Sequence, residues 1–112
     1  MSSEMLRQLE KNIQSQKKLV DLGESLERLK TNRDFKRLVL DGYLEQEAIR
    51  LVHMKAHPQF QSEDAQKSID TQINAIGSLV QYFNAVAQQA GMAARSVASD
   101  EATRAELLQE EE

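Results

Sequence analysis

The sequence predicts an all-α protein, built as a long antiparallel helical hairpin or three-helix bundle with coiled-coil-like packing. Three observations lead to this fold class. The 112 residues include one proline and four glycines, the two residue types that most disfavour helix interiors. Aromatic residues make up 4% of the chain, which is few for a compact globular core, whereas its many Leu, Ile, Val and Ala residues suit seams between helices. Apolar residues also recur at helical spacing along three segments.

The first helix is predicted over about residues 3–30. Its apolar stripe starts with residues that lie 3, 4, 3 and 4 positions apart: Leu6, Leu9, Ile13, Gln16 and Val20. The stripe continues, displaced by one residue, through Leu19, Leu22, Leu26 and Leu29. This displacement predicts that the stripe drifts around the helix. Lys and Glu occupy the opposite face, so the helix is amphipathic and needs a partner.

The second helix is predicted over residues 33–56. Asn32 is a suitable N-cap, because its side-chain oxygen can accept a hydrogen bond from the free amides of the first turn. Pro58 ends the helix, since proline disfavours α geometry in the residue before it. Gly42 falls inside this helix, and we expect it to permit the close approach of another helix.

The third helix is predicted over residues 63–90, with Ser62 as N-cap and Gly91 as C-cap. Its apolar residues follow a seven-residue repeat typical of coiled-coil packing: Ile69, Ile73, Ile76, Val80, Phe83, Ala87 and Ala90. Residues 1–98 then form the hairpin or bundle. Residues 99–112 form an acidic C-terminal tail, where a short helix would have little to bury.

The contacts between helices are predicted at nine apolar positions. The seam on the third helix consists of Ile69, Ile73, Ile76, Val80 and Phe83, and the residues that pack against it are Phe35, Val39, Ile49 and Val52. The stripes on the second and third helices are broader than one hairpin can cover. We therefore expect the chain to self-associate, or to dock on a larger protein partner.

Charge and composition exclude several functional classes. Residues 1–58 carry eleven bases and nine acids, a net charge of +2, and residues 59–112 carry three bases and nine acids, a net charge of −6. The acidic half and the mixed charges around Arg33, Lys36 and Arg37 disfavour nucleic-acid binding. No apolar run approaches the roughly 20 residues that span a bilayer, and no secretory signal is evident. The expected location is the cytoplasm of the producing cell.

The two histidines are the only short motif that hints at chemistry. His53 and His57 lie four residues apart, as in the zinc motif H-E-x-x-H, but the glutamate of that motif is missing and no third ligand is evident. Histidines in the last turn of a helix interact well with its negative end. We interpret both as helix-end residues and expect no metal site, cofactor, small-molecule substrate or catalytic residue, and hence no enzyme.

Two segments resemble small helical proteins encoded by tailed bacteriophages. The segments read DFKRLVLDGYLEQEAIRLV and QINAIGSLVQYFNAV. In these proteins a stretch that begins with D-F and ends with G-Y precedes an A-I-G stretch near a second aromatic residue. The matching positions here are Asp34, Phe35, Gly42 and Tyr43, followed by Ala75, Ile76, Gly77 and Phe83. The resemblance covers about residues 20–110 and implies a virion or assembly component without catalytic residues.

Three hypotheses for the function follow. The first is a non-catalytic structural or assembly protein that acts through protein–protein contacts, as a phage virion or assembly component. The second is a small phage-encoded regulator or inhibitor of a host or phage protein, with the acidic tail as its contact. The third, a nucleic-acid-binding helical module, would show a steep dependence of binding on salt.

Overall fold

The described part of the chain is helical almost throughout. The computed structural model describes residues 2–111, with side chains described from residue 3 to residue 110, and these residues include no strand. Helix α1 spans Ser2–Thr31, α2 spans Arg33–Phe35, a π-helical segment spans Lys36–Gln46, and α3 spans Glu47–Ala56. A 3₁₀ turn at Pro58–Phe60 leads to α4 at Glu63–Glu111. The prediction of an all-α fold of packed helices is confirmed.

The helix ends lie where the sequence places caps. The amide of Phe35 donates to Oδ1 of Asn32 at 2.9 Å, and the amide of Ala65 donates to Oγ of Ser62 at 3.2 Å. His57, before Pro58, has an extended backbone and ends α3. These caps satisfy amides that have no partner inside the helix, so the predicted starts at residues 33 and 63 are confirmed.

Helix α4 does not end at Gly91, as predicted, but continues to Glu111. A glycine that ends a helix usually adopts the left-handed conformation, and no described glycine has a positive φ. Burial explains the continuation, because the inward stripe extends past Gly91 through Ala93, which is 1% exposed, and half-buried Val97, Arg104 and Leu107. The expectation that residues beyond 99 have little to bury is therefore wrong at Arg104 and Leu107.

The chain divides into two compact units, which we describe separately. Unit 1 consists of residues 1–26 and 85–112, and unit 2 consists of residues 27–84. In unit 1 the segments of α1 and α4 run antiparallel, because Lys17 Nζ pairs with the Glu101 carboxylate at 3.3 Å while Gly23, further along α1, lies against Ala90, earlier on α4. Its buried apolar residues are Ile13, Leu26, Val86 and Ala93.

The inward stripe of α1 drifts around the helix from Ile13 to Leu26, as predicted, and it passes through a glycine. Gly23 is buried, while the neighbouring Leu22 is 44% exposed. A Cβ atom on Gly23 would overlap the Cβ of Ala90 on α4, so the two helices touch where α1 has no side chain. Gly23 therefore continues the stripe from Ile13 to Leu26, and a search for apolar residues alone misses it.

The core of unit 2 lies between the first half of α4 and residues 33–56, which we call the central helix. Leu51, Ile69 and Ile76 are buried and are surrounded by five partly buried residues: Leu44, Ala48, Met54, Phe60 and Ile73. The central helix and α4 run antiparallel, with Lys55 Nζ paired to Asp70 at one end and Phe35 packed on Phe83 at the other. Within residues 2–111, no helix combines the length and apolar content needed to cross a bilayer.

Candidate protein-contact surface

A π-helical segment sets the direction of side chains on the central helix. The amide of Glu47 bonds to the carbonyl of Gly42, five residues earlier, as is typical of this register. A Cβ on Gly42 would lie only 3.0 Å from the carbonyl oxygen of Arg37, again five residues earlier. The close approach expected at Gly42 thus comes from its own helix, and the prediction of a neighbouring helix there is wrong.

The π register also rotates the second half of the central helix. A continuous α-helix would place Val39, Gly42 and Ile49 on the face of Phe35, with Val52 beside them. A π-helix turns less per residue than an α-helix, so by residue 47 the inward face has moved on by about two positions. The side chains that point inward are those of Leu44, Ala48 and Leu51.

The predicted packing is therefore wrong at two of the nine positions. Ile49 is 46% exposed and Val52 is 57% exposed, while Leu51, which the sequence pattern did not single out, is fully buried. Phe35 and Phe83 make the expected contact, with edge-on rings whose centroids lie 6.0 Å apart. The remaining predicted positions are buried or half-buried: Val39, Ile69, Ile73, Ile76 and Val80.

Rotation leaves an apolar stripe open to solvent on α3. Ile49, Val52, His53 and Ala56 are all exposed and lie at the i, i+3, i+4 and i+7 spacing of one helix face. We call these four residues the exposed α3 face. Such spacing is ordinarily found on the side of a helix that is covered by another element. The exposed α3 face is therefore a candidate contact surface.

A shallow groove of about 310 Å³ lies between the central helix and α4. Its lining residues are Tyr43, Glu47, Arg50, Leu51, Gln72, Ala75 and Ile76. Arg50 Nε donates to Glu47 Oε1 at 2.7 Å, and Arg50 Nη1 lies 2.8 Å from Met54 Sδ. The side-chain amide of Gln72 donates to the carbonyl of Ser68 at 3.2 Å. The charges that line this groove thus neutralise each other over an apolar floor.

His57 has a structural role at the end of α3. Its Nδ1 accepts the amide of Gln59 at 3.1 Å, which caps the 3₁₀ turn, and its ring lies 5.5 Å from that of Phe60. His53 lies one turn earlier on the exposed α3 face. In the described part of the chain, no group of three His, Cys, Asp or Glu side chains is placed to hold a metal ion.

Two glutamines that the sequence pattern did not single out hold the turn between α3 and α4. Gln61 Nε2 donates to the carbonyls of Lys55 and His57 at 3.0 and 2.8 Å. Gln66 Nε2 donates to the carbonyls of Lys55 and Phe60 at 3.0 and 2.7 Å. These donors satisfy carbonyls that the end of a helix leaves free. Glutamine in a polar segment gives no sequence signal for this role.

Comparison with known proteins gives no information on the function. No family model matches the chain, and neither the curated proteins nor the solved structures gave a significant match.

Proposed function

We propose that this chain is a non-catalytic helical structural or assembly protein that works through protein–protein contacts. Its partner in the proposal is a further copy of the same chain, and its setting is the virion of a tailed bacteriophage or the assembly of that virion. The phage setting is supported by the resemblance at Asp34, Phe35, Gly42 and Tyr43. The contact role is supported by the exposed α3 face.

The exposed α3 face is the observation that carries the proposal. Fully burying an Ile or Val side chain stabilises a folded or associated state by about 1.5–3 kcal/mol relative to leaving the side chain exposed. Ile49 and Val52, at 46% and 57% exposure, leave about half of that gain unrealised in the single chain. A single exposed apolar residue is ordinary, but a stripe at helical spacing is the surface that a partner helix covers.

The test compares the solution mass of two variants, each carrying two added carboxylates. Ile49→Asp/Val52→Asp places them on the exposed α3 face, and Asn74→Asp/Ser78→Asp places them at exposed positions of α4. Light scattering should find a multimer for the wild type and the α4 variant, and a monomer of unchanged helicity for the α3 variant. A monomeric wild type, or an α3 variant with wild-type mass, would contradict the proposal.

A regulator of a host or phage protein is the alternative, and the exposed carboxylates of Glu106 and Glu110 near the end of α4 favour it. Deleting residues 105–112 separates the two functions. A structural protein that uses the exposed α3 face keeps its multimeric mass after the deletion. A regulator that contacts its target through the acidic end loses the target.

A further inference from the structure

We propose that the central helix has two registers, and that a change from π to α hydrogen bonding over residues 36–46 exchanges the inward and outward faces of α3. In the π register, Ala48 and Leu51 point toward α4 and Ile49 points to solvent. In the α register, Ile49 turns inward and Ala48 and Leu51 turn outward. The exchange takes place within one chain and needs no partner.

The first support is that both faces of α3 are apolar. The face in use contains Ala48, Leu51 and Met54, and the exposed α3 face contains Ile49, Val52 and Ala56 beside the polar His53. A helix with one permanent orientation ordinarily has polar residues on its outer side. Two apolar faces on one short helix are what two alternative packings against α4 require.

The second support is that both registers share the same anchor. Phe35 precedes the π segment, is capped through Asn32, and packs on Phe83. Counting 3.6 residues per turn from Phe35 brings Val39, Gly42 and Ile49 to the inward side, whereas the π register brings Leu44, Ala48 and Leu51 there. The register of residues 36–46 alone therefore decides which side of α3 faces the core.

The third support is the position of Gly42 inside the π segment. Its missing side chain accommodates the Arg37 carbonyl, which the π register brings to 3.0 Å from where a Cβ would be. Alanine at this position would crowd that carbonyl, and it also favours the α-helix over glycine. The π register is the one observed because it buries Leu51 completely, whereas the α register turns the polar Gln46 and His53 inward.

Cysteine labelling reports which face is inward, because the natural chain contains no cysteine. Ile49→Cys and Ala48→Cys are made separately, each with Gly42 and with Gly42→Ala. The rates of reaction with a thiol reagent are measured on chains diluted until light scattering finds them monomeric, so that no second copy covers the exposed α3 face. With Gly42, Cys at position 49 should react roughly tenfold faster than at position 48. With Gly42→Ala, this order should reverse, which a general loosening of the fold cannot produce.

Gly77→Ala is the matched control, because Gly77 is also a helical glycine, but beyond its adjoining residues and the backbone of its own turns no atom lies within 4 Å of its missing Cβ. It should leave both labelling rates unchanged. The proposal is overturned if the Gly42→Ala ratio stays at the wild-type value, or if both positions react faster together. Loss of helicity in Gly42→Ala also overturns it, because the α register would then not be a folded alternative.

Discussion

Three glycines in this chain illustrate how one residue type serves different purposes in helices. Gly23 is needed because α1 and α4 touch there, and glycine suits position 42 because a Cβ atom would lie 3.0 Å from a carbonyl oxygen of its own helix. A Cβ atom on Gly77 would meet nothing within 4 Å beyond its adjoining residues and the backbone of its own turns. Glycine costs about 1 kcal/mol relative to alanine inside a helix, so only the first two positions have a packing reason for that cost.

Gly23→Ala should destabilise unit 1. The added methyl group would overlap Ala90, and overpacking of this kind typically costs about 1–3 kcal/mol. The gain in helix propensity, about 1 kcal/mol at most, is expected to be smaller than this cost. Urea denaturation followed by circular dichroism would measure the difference.

Two further variants control for helix propensity and for the specific contact. Gly77→Ala should stabilise the chain slightly, since it improves propensity without a clash. Adding Ala90→Gly to Gly23→Ala should recover most of the lost stability, because it removes the methyl group on α4 that the new methyl group on α1 would meet. If Gly23→Ala and Gly77→Ala changed the free energy of unfolding equally, the contact with Ala90 would not limit the packing of α1 on α4.

At the scale of the helical element, the π segment moves the inward face of the central helix by two residues relative to a continuous α-helix. Its inward residues are Leu44, Ala48 and Leu51, where an uninterrupted α-helix from Phe35 would use residues 42, 46 and 49. A chain shortened by two residues in this segment could therefore form a plain α-helix with the same inward side chains.

Deletion of Arg37 and Leu38 together should leave unit 2 folded. Both residues are exposed, and their removal brings Leu44, Ala48 and Leu51 into α-helical phase with Phe35. Deletion of the exposed pair Asn74 and Ala75 from α4 is the control, because it rotates Ile76 away from the core with no π segment to compensate. Thermal unfolding should show a cooperative transition for the first deletion and a loss of several kcal/mol for the second.

Sequence reasoning succeeded where local chemistry determines the structure. Asn32, Ser62 and Pro58 mark helix ends through hydrogen bonds and ring geometry that involve only near neighbours. It failed at Ile49 and Val52, because the usual count of 3.6 residues per turn does not hold through a π segment. No residue type predicts the π register from the sequence. This register is preferred over the α register because it buries Leu51 against α4, which is a tertiary contact.

At the scale of the whole molecule, apolar packing rather than ion pairing is expected to stabilise the chain. The described ion pairs have side chains that are between 33% and 85% exposed. Exposed pairs are worth about 0–1 kcal/mol each, because water and salt screen them. Within residues 3–110, every buried residue is apolar or glycine. No polar side-chain atom in this range is buried without a hydrogen-bond partner.

Raising the ionic strength should therefore change the free energy of unfolding little, measured on the Ile49→Asp/Val52→Asp variant that is expected to be monomeric. Between about 0.01 M and 1 M salt, the screening length falls from about 30 Å to about 3 Å. We expect the free energy of unfolding, measured with urea at both salt concentrations, to change by less than about 1 kcal/mol. A loss of several kcal/mol at high salt would assign a larger role to pairs such as Lys17–Glu101 and Lys55–Asp70.

The turn held by Gln61 and Gln66 also bears on the order in which the chain folds. The hydrogen bond from Gln66 to the Lys55 carbonyl closes a loop of 11 positions, whereas the pair Lys17–Glu101 joins residues 84 positions apart. Closing the longer loop costs about 2 kcal/mol more chain entropy. Unit 2 is therefore expected to nucleate at its bend, and the distant ends of the chain pair afterwards to complete unit 1.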